Sequence, residues 1–273
     1  AVSLGRFAGA VVDAEMVPSR DEWRGEAALR VVDVGGLVEG PLPDQRGSLL
    51  IGGHYALGAA ILSAAVPSVD LGYWDYQGRV DLAVAPHTHA EFVLFGSFDS
   101  LENPPLGSES DSFTTIDIEF HRLEARLVRR TDEAEVGTAL RIGYDNSSID
   151  RTLAVEALSL GPRTWVHWSL ADDSHLRIGG DMLGSVGNIR SISEGSTPTV
   201  FAGRRQIRVD LPFVADAAAR HAGGTFADLR VRPTEWHALE LGARGDVWLV
   251  DGEPEMAADP RVRAIFYPAE AWE

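Results

Sequence analysis

The chain has 273 residues, 45% of them hydrophobic and 24% charged, with a formal net charge of -17 and no cysteine. This length and composition suit a folded protein with a sizeable core, and the acidity opposes binding to a phosphate backbone, so no nucleic acid is expected as partner. The missing cysteines exclude disulfides and thiolate-held metals, and because all 24 basic residues are arginine, lysine-based Schiff-base or phosphate-loop chemistry is excluded as well.

In chain order, residues 1–47 read as a leading segment with strand-like stretches at Phe7–Val17 and Ala27–Val38. Its opening, AVSLGRFAGAVVDAEM, has no basic start followed by an apolar block, so no signal peptide is expected. Ala56–Ala65 is apolar nearly all round and fits either a helix or a buried strand and turn. Alternation over Val80–Val84, Thr115–Phe120, Leu153–Leu160, Val166–Leu170 and Val247–Val250 predicts strands. Breaker clusters predict loops over Ser100–Ser112, Gly179–Gly187 and Ser193–Thr199.

Trp165–Leu170 and His175–Ile178 flank Asp172, Asp173 and Ser174, and are expected to pair as an antiparallel hairpin. A similar pattern from Trp236 to Asp251 is either a repeat of that unit or simply a second hairpin. Val214–His221 is alanine-rich, with Asp216 and Arg220 one helical turn apart, and predicts a short helix. Residues 237–273 form a trailing segment. Ile265, Phe266, Tyr267 and Trp272 crowd its end and should be covered by the rest of the fold or by a partner. No apolar run is long enough for a membrane-crossing helix, so membrane insertion is not expected.

Several segments resemble, in order, the LamG-type concanavalin A-like domains. They are His54-Tyr-Ala-Leu57, Val69-Asp-Leu-Gly72, Val80 to Pro86, Phe92 to Ser97, the hairpin Trp165 to Asp181, and Gly224 to Val231. Ala83 stands where such domains usually carry tryptophan. The resemblance implies an all-β fold: a concanavalin A-like antiparallel β-sandwich, or jelly roll, over 48–236, flanked by segments 1–47 and 237–273. A different sandwich or a lipocalin-like barrel stays open.

Sandwich glycosidases of the same superfamily carry a Glu-x-Asp-x-Glu strand. Here that strand is Thr115-Ile-Asp117-Ile-Glu119, without the first carboxylate, so no catalytic residues are expected. His87, His89 and Glu91 share one strand face and could hold a metal, or could be solvated loop residues. Calcium is a further possibility, on loop oxygens such as Asp99, Glu102, Asn103, Asp145, Asn146, Asp172 and Asp173. Trp74, among other tryptophans, could stack on a sugar or fill a core. The ligand candidates are therefore Trp74, Asp99, Asn103, Asp145, Asn146, Asp172 and Asp173.

These features point to a non-catalytic structural or recognition protein. The expectation is a virion surface component, a tail or capsid-decorating protein of a bacterial virus, located on the virion or outside the cell. Its partners would be other chains of an assembly, and cell-surface glycans. The alternatives are a free lectin or carbohydrate-binding module, and a cofactor-free β-barrel cyclase.

Overall fold

Period-two alternation is written through almost the whole chain, and the chain folds accordingly. The computed structural model describes residues 22–66, 70–103, 114–149, 153–171, 173–191, 199–202, 205–208, 218–250 and 253–267. The strands are β1 (Arg24–Leu29), β2 (Val34–Pro41), β3 (Gly47–Tyr55), β4 (Asp70–Ala85), β5 (Thr88–Asn103), β6 (Thr114–Arg130) and β7 (Ala134–Ile149), followed by β8 (Leu153–Ala171), β9 (Ser174–Ser191), β10 (Thr199–Ala202), β11 (Arg205–Arg208), β12 (Ala218–Thr234), β13 (His237–Val250) and β14 (Glu253–Phe266). One helix, α1 (Leu57–Ala65), lies between β3 and β4.

Twelve of these strands form one antiparallel sheet in the order β1-β2-β3-β4-β5-β6-β7-β8-β9-β12-β13-β14, while β10 and β11 pair separately. Each strand in the large sheet pairs with the strand before and after it among those it contains. A jelly roll needs strands that skip to distant partners across two layers. The all-β, antiparallel character expected from the sequence stands; the two-layer concanavalin A-like sandwich is corrected to a single meandering sheet. Nor does that sheet break at the expected segment ends. β3 begins at Gly47, and β12 passes into β13 across the Glu235–Trp236 turn.

The β8–β9 hairpin forms as expected, with Val166 opposite Ile178 and Ala171 opposite Ser174. Its turn contains Asp173 at φ 57°, a left-handed conformation that aspartate tolerates better than most residues; Asp172 lies outside the described residues. Three expectations differ from the structure. Gly179–Gly187 is the middle of β9, not a loop. Ala218–His221 begins β12 instead of ending a helix, and the rest of that predicted helix, 214–217, lies outside the described residues. Finally, the stretch from Trp236 to Asp251 contains no turn near Gly242–Gly245, because β13 runs straight through it. The stretch 7–17 also lies outside the described residues.

The connections at one rim are tight: 42–46, 86–87, 131–133, 172–173 and 235–236. The long ones, 56–69 with α1, 104–113, and 192–217 with β10 and β11, leave only from the opposite rim, which also carries the short 30–33, 150–152 and 251–252.

Candidate functional site

Residues directly opposite each other in an antiparallel ladder point to the same face, so the registers assign every side chain to one of two faces. On one face stand Val80, Phe92, Leu127, Leu140, Pro162, Met182, Val247 and Met256, and their neighbours in alternation. On the other stand Asp81, Glu91, Arg126, Arg163, Asp181, Asp246 and Asp259.

Burial follows these faces in the opposite sense to a water-soluble sheet. In β7 the apolar-face residues Val136, Leu140 and Ile142 are exposed, whereas Gly137, Ala139 and Gly143 on the charged face are buried. The apolar exposure continues across the sheet, with Leu158 at 56%, Met182 at 64%, Met256 at 76% and Val262 at 75%. A soluble protein rarely leaves so long an apolar patch in water. The fold encloses the face that bears the charges, where Arg244 and Asp246 are buried along with Val128, Ala139 and Phe226.

The charged face is an ion-pair lattice. Arg79 meets Asp81 at 2.8 Å and Glu91 at 3.5 Å. Arg126 bridges Glu91 at 3.5 Å and Glu124 at 2.6 Å, and Glu124 also pairs with Arg141. Four strands are thus stitched at one level. Further along the sheet, Arg244 is almost fully enclosed. It makes two 3.0 Å bonds to Asp181 and three bonds of 2.8–3.0 Å to Asp246. Its guanidinium lies 5.9 Å from the Phe226 ring. Gly224 provides the room, since a Cβ there would overlap Asp246 and Arg244.

On the apolar face, near the long-loop rim, aromatic rings run across four strands. Trp74 stacks with Tyr76 and Phe98, each at 6.0 Å. His121 stacks with Tyr76 at 5.8 Å and with Tyr144 at 6.1 Å. Beyond this row the same face turns polar, with Asp117, Glu119, Asn146 and Glu156.

The structure does not bring the ligand candidates into one site. Trp74 belongs to the aromatic row on the apolar face, and Asn146 lies on the same face beyond that row, its amide reaching Glu119 at 3.5 Å. Asp99 and Asp145 project from the charged face, where Asp145 accepts from Arg122 at 2.6 Å. Asn103 ends β5. Asp173 sits at the opposite, tight-turn rim, paired with Arg232. His87 is in a turn, and His89 and Glu91 lie within β5. Among the described residues no three His, Asp or Glu side chains gather as a metal site. The lattice residues Arg126, Asp181, Arg244 and Asp246 are not among the candidates. Of these, only the pairs Glu124–Arg126 and Arg244–Asp246 carry a local sign of the lattice, two charges at alternate positions of one strand.

No family model and no curated protein sequence matches the chain. Solved structures do. The copper transporter OprC aligns with a TM-score of 0.64 at 15% identity, covering 94% of this chain and 45% of that one. A mutant of the ferric enterobactin receptor PfeA from Pseudomonas aeruginosa gives 0.62 at 12%, covering 93% and 41%. The alcaligin outer membrane receptor FauA from Bordetella pertussis gives 0.55 at 12%, covering 90% and 39%. The chain therefore spans less than half the length of these proteins, and the likeness shows its fold: a stretch of β-barrel wall. The LamG-type resemblance is overturned, and with it the virion-component role and the virion or extracellular location. Its motifs are strand–turn–strand patterns that any long antiparallel meander repeats.

Proposed function

We propose that this chain is part of the wall of an outer-membrane β-barrel that serves solute uptake, with its apolar face toward lipid and its charged face toward the lumen. One observation carries the reading: the exposed face is apolar and the enclosed face is charged. Transmembrane barrels require this inversion, because lipid surrounds them and water or a plug fills them. The dimensions agree. Trp74 to Val84 spans roughly 33 Å along β4 at strand rise, or roughly 25 Å in height at the usual barrel tilt, the thickness of an outer-membrane apolar band. The aromatic row then marks one membrane interface. The tight turns would face the periplasm and the long loops the exterior, following the asymmetry of bacterial barrels.

Among the described residues no helix is long and apolar enough to cross a membrane, which says nothing against this, since barrels cross with strands. An open sheet edge is not tolerated in hydrocarbon. β1 and β14 have no partner on their outer sides among the described residues, so further strands would close the barrel. Uptake of a metal or metal chelate is taken from the neighbours, which include a copper transporter and siderophore receptors.

The chain has no native cysteine, so single cysteines can be introduced cleanly. Nitroxide labels placed one at a time from 136 to 142 in lipid vesicles should alternate. Even positions should collide with oxygen, which partitions into lipid, and odd positions should not. Accessibility without a period of two would refute the reading.

A further inference from the structure

We propose that the charged face holds an oxyanion subsite centred on Arg163, with Arg177 as its second cation, that takes a carboxylate or phosphate group. Every other arginine whose side chain is described on this face has a carboxylate within 4.0 Å, from Arg24 at one edge of the sheet to Arg263 at the other. Arg163 and Arg177 have none among the described residues.

The registers explain the exception. Arg163 stands directly opposite Asp181, but both Asp181 oxygens are taken by the Arg244 fork at 3.0 Å. Arg177 stands opposite Asp228 without an ion pair between them. The Arg163 Nε is shielded from solvent and has no acceptor. The guanidinium is nonetheless held in place, 5.8 Å from the Trp165 ring and 5.7 Å from the Phe226 ring. Trp165 is itself tied to Glu135 by a 2.9 Å hydrogen bond from its indole N–H.

Trp165, Gly179 and Phe226 form one cross-strand row, with Arg163 one row to one side and Arg177 one row to the other. The open position of Gly179 lets Phe226 lie across it, since a Cβ there would come within 2.5 Å of Phe226 Cζ. Two cations thus flank an aromatic floor. A partly enclosed cation without a counter-charge is costly, and a planar guanidinium pinned by rings is already oriented for two parallel bonds to an oxyanion. Arg141, the next arginine along the wall, is committed to Glu124.

The inference rests on the barrel reading only in treating this face as open to solutes. The test is isothermal titration of the full chain, folded in detergent micelles, with inorganic phosphate and separately with acetate, chloride holding ionic strength constant. Wild type should bind at least one of them, and the tighter of the two names the group the subsite takes. Arg163→Gln and Arg177→Gln should each weaken that binding about tenfold or more, as loss of a charge-assisted bond does. Arg263→Gln, which removes a cation already paired with Glu240, should leave it unchanged. Should Arg163→Gln fail to fold, Arg177→Gln carries the test alone. Binding no stronger than chloride's, or wild-type binding retained by a folded Arg163→Gln or Arg177→Gln, overturns the subsite. The spin-label alternation would stand regardless, so the two readings fail separately.

Discussion

Arg244 shows how a single side chain holds three strands of this wall. Its side chain is 1% exposed and those of its acceptors, Asp181 and Asp246, are 14% and 7% exposed. Enclosed charges in such a cluster contribute little net stability when all are present, but removing one partner leaves the others uncompensated. Arg244→Met should therefore lower the free energy of unfolding by about 3–5 kcal/mol, read from urea titrations of the folded protein in micelles. A loss below about 1 kcal/mol, the worth of an exposed pair, would mean that water already solvates the cluster. Little of this was legible in the sequence. Arg244 and Asp246 stand two apart, an unremarkable spacing, and Asp181 joins them only through the pairing of β9, β12 and β13. The glycines misled for a related reason. In sequence Gly179 and Gly187 read as loop punctuation, yet Gly179 lies beneath Phe226 and Gly187 lies against Ala157 and the Glu156 carbonyl. Such glycines mark close approach inside a sheet, and the two uses look alike until register is known.

Single elements were the most legible scale. The hairpin of β8 and β9 follows from two alternating runs around Asp-Asp-Ser, whereas the apolar stretch Ala56–Ala65 fits a helix or a buried strand and turn equally, and only the structure makes it α1. Asp173 takes the left-handed turn position, pairs with Arg232, and is followed by Ser174, whose hydroxyl accepts from the Arg232 N–H at 3.1 Å. A β-branched residue is strained at positive φ by about 1–2 kcal/mol, while asparagine adopts it readily. Asp173→Val should accordingly destabilise by about 1–2 kcal/mol and Asp173→Asn by less than about 0.5 kcal/mol, since an exposed ion pair contributes little. Equal effects in denaturant midpoint would show that the charge, not the backbone, sets the turn. The predicted helix at 214–221 failed at its described end because alanine and a one-turn charge spacing are weak local preferences. Ala218–His221 is held instead by a ladder to β9, and tertiary pairing overrides propensity of that size.

At the scale of the whole molecule, the sequence shows the right class of element, antiparallel strands, but not the single meandering sheet they form. A strand that alternates apolar and polar residues looks the same whether its apolar side meets a second sheet or a lipid chain. A mean hydropathy of -0.06 averages the two faces and hides the difference. What decides is which face the fold encloses, and the decisive residues are the exposed ones. Met182 is 64% exposed on the apolar face, at a level near the middle of the band between Glu156 and Leu170 on the neighbouring strand. In water, an arginine at so exposed a position changes stability by no more than about 0.5 kcal/mol. At the midplane of a bilayer the same charge costs about 2–4 kcal/mol, and near either interface about 0–1 kcal/mol. Met182→Arg should therefore lose about 2–4 kcal/mol in reversible urea unfolding from lipid vesicles, while Asn188→Arg, beyond the aromatic row, should lose about 1 kcal/mol or less. The depth dependence is the informative part. A soluble sheet that merely exposes methionine predicts the same small effect at both positions, and equal effects in vesicles would remove lipid from the outer face of this wall.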